Sequence, residues 1–555
     1  MKYLQVDLSK SASIALGALA AAAFCSSPVL AQPAPLDLLT FRASGPTPFT
    51  AGCGGVPDVG TLYENAEVEP FAAVNPRNPL NVIGVWQQDR WSNGGARGLV
   101  GAYSDDGGVT WQRTYPTFSR CAGGNAGNNG NFERASDPWV SFSPNGVAHF
   151  MALAVNNTAP APGEPVTAMS ASRSTDGGRT WSTPIILQSD GADYFNDKNT
   201  LTADPTDSRF VYAVWDRLSF VAGESAGPLL FARSADNGRS WEPARMVFDS
   251  GPAAQVIGAR IEVLPDGGLV NVFTLIDFVA QALSAHVILS NDKGETWSAP
   301  VKIADMLPLG ATDPETGAPV RDGAILPQMA ISRSGTISVV WQDARFSGGV
   351  RDGIALSQST DRGLTWSEPV QVNADTSVQA FLPSVHVRRD GTVGVSYHDF
   401  RSNTADAATL PTDTWLARSR DGATWRESRV ARPFDLAKAP VANGLFVGDY
   451  QGLVSIGPLF IPFFVKTTAG ADTANRTDAF SHFALGSLIG RAARGDASIV
   501  RQVEEEEAAL PARRAQAVRV ESSAMADMRG RSMQTAHRVL RDRLPEWAKA
   551  RLPQR

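Results

Sequence analysis

The chain has 555 residues, of which 43% are apolar and 19% charged, and its net charge is −6. That length can bury an ample core, either as several domains or as one large repeat architecture. No basic patch interleaved with aromatics occurs, so nucleic acid is not an expected partner.

At the N-terminus, Lys2 and Lys10 accompany an apolar run from Ala12 to Phe24, followed by Val29, Leu30 and Ala31. This pattern predicts a signal peptide over residues 1–31, cleaved after Ala31, and a secreted or periplasmic product. The run is too short to span a bilayer core of about 30 Å, so no membrane span is expected. Two cysteines then remain, Cys53 and Cys121, both in Gly-rich segments. An isolated pair in an exported chain is expected to form a disulfide.

From Glu67 onward, short strands follow one another regularly. AEVEPFAAV, LNVIGVWQ and GLVGAYS come first, then DPWVSFS, GVAHFMALAV and VTAMSASRS, and the plan continues downstream. Alternating apolar residues, broken by Gly, Pro, Asn and Asp, favour strands over helices. Each of six sets ends in a related turn: SDDGGVTW, STDGGRTW, SADNGRSW, SNDKGETW, STDRGLTW and the shorter SRDGATW. Their tryptophans are 111, 181, 241, 297, 366 and 425. A motif repeating at this period marks a copied supersecondary unit the size of a propeller blade. Within each copy, Asp and Gly supply the side-chain bonds and positive φ of a tight turn, and Trp opens the return strand.

After Trp425 come three more strands, in FVGDYQGLVSI, LFIPFFVK and DAFSHFALG, with no fourth. Upstream, LDLLTFR (Leu36–Arg42) has no set of its own. Pairing of that segment outside Asp478–Leu485 would close a ring of seven blades and remove an exposed edge; six blades is the alternative. The propeller is expected over residues 32–488. Residues 489–555, with the acidic run Glu504–Glu507 and many arginines, read as a helical or disordered tail open to a partner.

The six turns resemble the Asp box, or bacterial neuraminidase repeat, of sialidases and sialidase-like β-propellers, a likeness covering roughly Glu67 to Leu485. The resemblance implies a fold in which the boxes join third and fourth strands, away from the catalytic face. First strands then begin, and second strands end, at the opposite rim, where propeller ligands bind. Four second strands end in a shared motif: Asp89 with Arg90, Asp216 with Arg217, Asp343 with Arg345, and Asp399 with Arg401. First strands contribute Glu67, Glu69, Arg134, Asp137, Asp197, Lys198, Arg260, Asp449 and Tyr450. Repeated Asp–Arg pairs fit a structural salt bridge as well as they fit an anion site, for which the planar guanidinium is suited.

Sialidases clamp a sialic acid carboxylate with three arginines, attack with a tyrosine activated by a glutamate, and use an aspartate as acid/base. By order along the chain, Arg345, Arg401 and Tyr450 match the last three members. Arg90 is the candidate for the first arginine, whose Phe-Arg-Ile-Pro segment is absent here; FRAS at Phe41–Ser44 is a superficial echo. No glutamate lies just before Arg345, which leaves Glu262, with Asp322 as an alternative carboxylate, while Asp89 or Asp137 could supply the acid. A tyrosine with a pKa near 10 needs a carboxylate within hydrogen-bond reach before it can attack. Asp449 should point away from it, as neighbours on a strand do.

The leading expectation is a monomeric, sialidase-like exo-glycosidase acting on acidic sugars of extracellular glycans. Arg90, Arg134, Asp137, Asp197, Lys198, Arg217, Arg345 and Arg401 would bind substrate. The rival is a non-catalytic propeller that binds glycan or protein through the same rim. No cofactor is called for, and a structural Ca²⁺ is left open. The six histidines show no paired metal-ligand spacing.

Overall fold

A computed structural model describes residues 40–156 (Asp58 apart), 165–468 (Ala222 and Ser225 apart), 476–483, 512–544 (Arg519 and Arg543 apart) and Lys549. The expected signal peptide, residues 36–39 of LDLLTFR and most of the tail's acidic half lie outside them.

Among the described residues the structure is all-β apart from short 3₁₀ turns and one helix, α1 (Ser522–Asp542). Strands β2 (Leu62–Val74), β3 (Val82–Trp91), β4 (Ala96–Ser104) and β5 (Gln112–Thr114) form the first antiparallel set. β6 (Arg134–Phe142) to β9 (Ile185–Asp190) form the second, and β10 (Tyr194–Ala203) to β13 (Arg245–Phe248) the third. The fourth runs from β14 (Ala254–Val263) to β17 (Val301–Asp305). β19 (Gln328–Ile331) to β22 (Val370–Gln371) and β23 (Ala380–Val387) to β26 (Thr424–Asp435) follow. The last set contains β28 (Gly452–Ile456), β29 (Leu459–Thr467) and β30 (Thr477–His482). β1 (Thr40–Arg42) lies antiparallel along β30, with Thr40 opposite His482 and Arg42 opposite Phe480. A parallel pair, Ala66 with Thr477, joins β30 to β2.

Second strands are buried on both faces, β3 along its whole length. They carry large aromatics at one position, Trp86, Trp215, Trp341 and Tyr397, all fully buried. Such rings fill the space between neighbouring sheets and account for much of the apolar surface removed from water.

The six repeated turns close on themselves. In the first, Ser104 Oγ donates to Asp106 Oδ1 (2.7 Å) and accepts from the Gly108 amide (2.7 Å). Thr110 donates to Asp106 through its hydroxyl (2.6 Å) and its amide (2.9 Å). Hydrogen bonds from Thr296 and Thr365 hold Asp292 and Asp361 down at about 2 in the equivalent turns.

The tail is not a free appendage. β31 (Arg513–Arg514) adds to the outer edge of β26, and the Arg513 guanidinium donates to the carbonyls of Gln371, Val372 and Asn373. Met533, Ala536 and Leu540 of α1 pack into one cluster with Met306, Ile325 and Leu326. Among the described residues, no helix is long and apolar enough to cross a membrane.

Candidate functional site

At the end opposite the repeated turns, five of the sets carry a second repeated device. Five first strands slip register at one place: after Val68, Ser136, Asp197, Ile257 and Phe381. Inside the slip sits a residue of positive φ: Glu69 (53°), Asp137 (51°), Lys198 (50°), Gly258 (69°) and Leu382 (55°). An extra residue in one strand re-aims its side chain, and a proline after it forgoes no ladder bond. Pro70, Pro138 and Pro383 follow three of the five. For a side-chain-bearing residue this backbone costs about 1–3 kcal/mol, strain that gathers at ligand sites.

The bulges bring charges together. Lys198 Nζ lies 2.6 Å from Asp449 Oδ2, 3.4 Å from Asp137 Oδ2 and 3.7 Å from Glu69 Oε1. Arg321 grips Asp449 with both prongs, Nε to Oδ1 at 3.0 Å and Nη2 to Oδ2 at 2.5 Å. It stands on β18 (Val320–Arg321), which pairs parallel with β27 (Leu445–Phe446). The Phe446 ring faces two guanidinium groups, Arg321 at 4.5 Å and Arg90 at 5.0 Å. Only glycine fits at position 323, where φ is +62° and a Cβ would stand 2.1 Å from the Asp449 carbonyl oxygen.

The carboxylates are pushed apart in acidity. Burial, then repulsion by Asp137, raises Glu69 to about 8 against the pull of Lys198, and Gln87 Nε2 donates to its other oxygen. Burial would raise Asp449 too, but Arg321 and Lys198 hold it well below the usual carboxylate range. Two carboxyls with opposed shifts around one cation form an acid/base arrangement. Burial and the neighbouring Arg321 lower Arg90 to about 10, so it remains charged at neutral pH. Arg90 donates to Gln87 Oε1 (2.7 Å), while its Nε has no hydrogen-bond partner. A small pocket open to solvent is lined by Arg90, Asp137, Phe195, Asp197, Lys198 and Arg321.

Several residues expected at the site are engaged elsewhere. Asp89, a candidate acid, accepts from Thr47 Oγ1 (2.6 Å), the Asn65 amide (2.9 Å) and Arg97 (3.3 Å), which fixes a loop. Glu262 is bound by Arg260 (2.8 Å) and is not among the carboxylates around Lys198. Arg134 holds Asn93 and the carbonyls of Gly94 and Val59. Arg217 grips Asp190 with two nitrogens (2.9 and 2.6 Å). Arg345 folds back on Asp343 (2.8 Å) and the Asp305 carbonyl. Arg401 pairs with Asp399 and Glu427 and lies over Trp415 at 3.6 Å. Arg345 and Arg401 thus bind the Asp of their own motif, whereas Arg217 leaves Asp216 for Asp190.

Tyr450 needs the same correction. Its hydroxyl donates to the Pro138 carbonyl (3.1 Å), and its ring meets Trp139 (5.3 Å) and Phe71 (6.5 Å) edge-on. Burial, then Glu69, Asp137 and Asp449, raise the phenol well above its ordinary value, which disfavours the phenolate a nucleophile would need. Asp449 and Tyr450 lie between β27 (Leu445–Phe446) and β28, outside any strand, so the expected strand alternation does not apply to them. Nothing in the sequence marks Arg321: the Val-Arg-Asp-Gly run between sets carries no repeat signal, and its partner β27 lies far downstream. Cys53 and Cys121 are joined, with Cα atoms 4.8 Å apart. Among the described residues, no group of three or more His, Cys, Asp or Glu could hold a metal ion.

The chain is similar to several solved structures. A Hadza microbial sialidase is 16% identical over 74% of this chain and 75% of its own, with a TM-score of 0.41. A mutant of Trypanosoma rangeli sialidase displaying trans-sialidase activity is 15% identical over 67% and 56%, with 0.40. The GH93 α-L-arabinofuranosidase of Fusarium graminearum is 13% identical over 65% and 91%, with 0.39. No curated protein matches the chain. A BNR/Asp-box repeat is matched at residues 102–113, the first of the six turns. The BNR repeat-like domain matches residues 149–430, just over half of the sequence, and the chain belongs to that family.

Proposed function

We propose that the protein is an exported, sialidase-like glycoside hydrolase that removes terminal acidic sugars from glycans. In this reading the strand sets are the blades of a monomeric seven-bladed propeller, closed where β1 pairs with β30 and β30 with β2. The observation that carries the reading is the junction of Glu69, Asp137 and Asp449 on Lys198, drawn from separate sets beside a pocket that Arg90 also lines.

Burial holds the Glu69 carboxyl protonated at neutral pH, and in this reading the proton passes by way of pocket-lining Asp137 to the glycosidic oxygen. The C–O bond breaks, water adds to the anomeric carbon, and the water's proton returns to the pair. Arg90 receives the sugar's carboxylate along the N–H edge of its planar guanidinium. Lys198 and Arg321 hold Asp449 anionic beside the developing positive charge.

Release of 4-methylumbelliferone from its α-sialoside and its β-glucuronide, followed from pH 4 to 9, tests the reading. Turnover should fall by about 10²–10⁴-fold in Asp137→Asn with the fold intact, as expected for loss of a general acid. Wild-type protein that releases nothing from either substrate would remove the enzyme reading. A second reading, a non-catalytic glycan-binding propeller, is favoured by one observation: Tyr450 is bonded to a carbonyl and not to a carboxylate. Glycan-array binding without turnover would select it.

A further inference from the structure

The hairpin between β3 and β4 forms one side of the charged pocket. Asn93, Gly94 and Gly95 at its tip line the pocket together with Arg90, which lies three residues earlier on the same hairpin. The Trp91 amide donates to the Gly95 carbonyl (3.0 Å) to close the tip. Gly94 and Gly95 take φ of +113° and +65°, a backbone with little stiffness of its own.

Arg134, at the start of β6, holds that tip from outside. Its Nη1 donates to Asn93 Oδ1 (2.8 Å) and to the Gly94 carbonyl (2.7 Å), and its Nη2 to the Val59 carbonyl (2.8 Å). The guanidinium lies over the Trp91 ring at 4.4 Å, and the residue is 5% exposed. Gly60 packs against the same amide: a Cβ there would stand 2.7 Å from Asn93 Oδ1 and 3.0 Å from Nδ2.

A guanidinium carries donors only, so the Asn93 atom it meets has to be the oxygen. That decides which way round the amide stands. Its acceptor is taken by Arg134, while among the described residues nothing accepts from Nδ2, a donor on a pocket-lining side chain. A carboxylate has two acceptor oxygens, so a guanidinium and an amide nitrogen on one hairpin are able to take one each.

We propose that Asn93 is a substrate-binding residue whose Nδ2 donates to the carboxylate of the acidic sugar beside Arg90, with Arg134 as the positioning residue that sets the amide. The proposal rests on the reading of that pocket as the substrate site and adds a specificity contact to it.

Asn93→Asp tests it, because the variant keeps an oxygen for Arg134 and replaces the donor by a second acceptor. Its melting temperature should be no lower than that of the wild type. KM for whichever methylumbelliferyl glycoside the wild type turns over should rise about 10–100-fold with kcat nearly unchanged, as for one lost hydrogen bond to a charged group. Calorimetric binding of N-acetylneuraminic acid or glucuronic acid should weaken by the same factor, without any need for turnover. Asn93→Ala removes the donor without adding charge and should weaken binding in the same direction. Arg134→Lys, which lacks the planar fork, should raise KM by a smaller factor. Wild-type KM and affinity in Asn93→Asp overturn the assignment, as does wild-type protein that binds neither sugar acid. An effect in Asn93→Asp that is absent from Asn93→Ala is one of charge alone and also overturns the contact. Binding weakened in both variants of a protein that turns nothing over supports Asn93 and removes the enzyme reading.

Discussion

The two ends of the strand sets are built from one repeat and behave in opposite ways. At one end, six turns keep nearly the same residues, and each satisfies its own hydrogen bonds within eight positions, as Ser104, Asp106, Gly108 and Thr110 do. At the other end the backbone repeats but the residues do not: Glu69, Asp137, Lys198, Gly258 and Leu382 occupy one bulge position. Where side chains recur, their partners are local and the role is structural. Where only the geometry recurs, the side chains are free to differ and look across the sets for partners. The Asp–Arg motif falls between the two. Arg345 and Arg401 bind the Asp two residues before them, whereas Arg90 leaves Asp89 and turns to the pocket.

The largest effect should come from breaking the unlike end. Lys198→Met would leave three buried carboxylates without their shared cation, and loss of about 3–5 kcal/mol is expected. Urea denaturation measures it, and a loss below about 1 kcal/mol, the size of a surface pair, would mean that the charges do not act as a unit.

A smaller loss should follow at the regular end. Gly178 has φ +92°, and a Cβ there would meet Ile83 Cδ1 at 2.7 Å. Gly178→Ala should cost about 1–3 kcal/mol from backbone strain and contact. Equal thermal stability of variant and wild type would show that the repeated turn tolerates a side chain at this position.

The gentlest probe is pH. Glu69 is raised from 4.5 to about 8, so folding favours its protonated form. That contribution is complete below about 4.5 and is lost as the pH rises through about 8, with a slope of at most about 1.4 kcal/mol per pH unit for one proton. Glu69→Gln should make the melting temperature fall less steeply between pH 5 and 8, the remaining fall coming from other buried carboxyls such as Asp352, raised to about 7, and Asp399, raised to about 6. The regular end should contribute nothing there, since Asp292 and Asp361 titrate near 2.

Much of this was legible in the residues. Alternating apolar positions predict the strands, and the spacing of Ser, Asp, Gly and Thr predicts each turn's bonds, because every partner lies within the motif. The direction of the turns also places Glu69, Asp137, Lys198 and Asp449 at one rim. Only the tertiary structure decided which of the charges at that rim meet. Lys198 and Asp449 are 251 residues apart and Arg321 and Asp449 are 128 apart, so no period in the chain links them. Nor could the sequence place Arg217 on Asp190, hold Tyr450 against Pro138, or bring Leu544 to Phe195. A turn is decided by bonds within a few residues of chain, whereas a buried charge takes the partner that packing brings within a few ångströms.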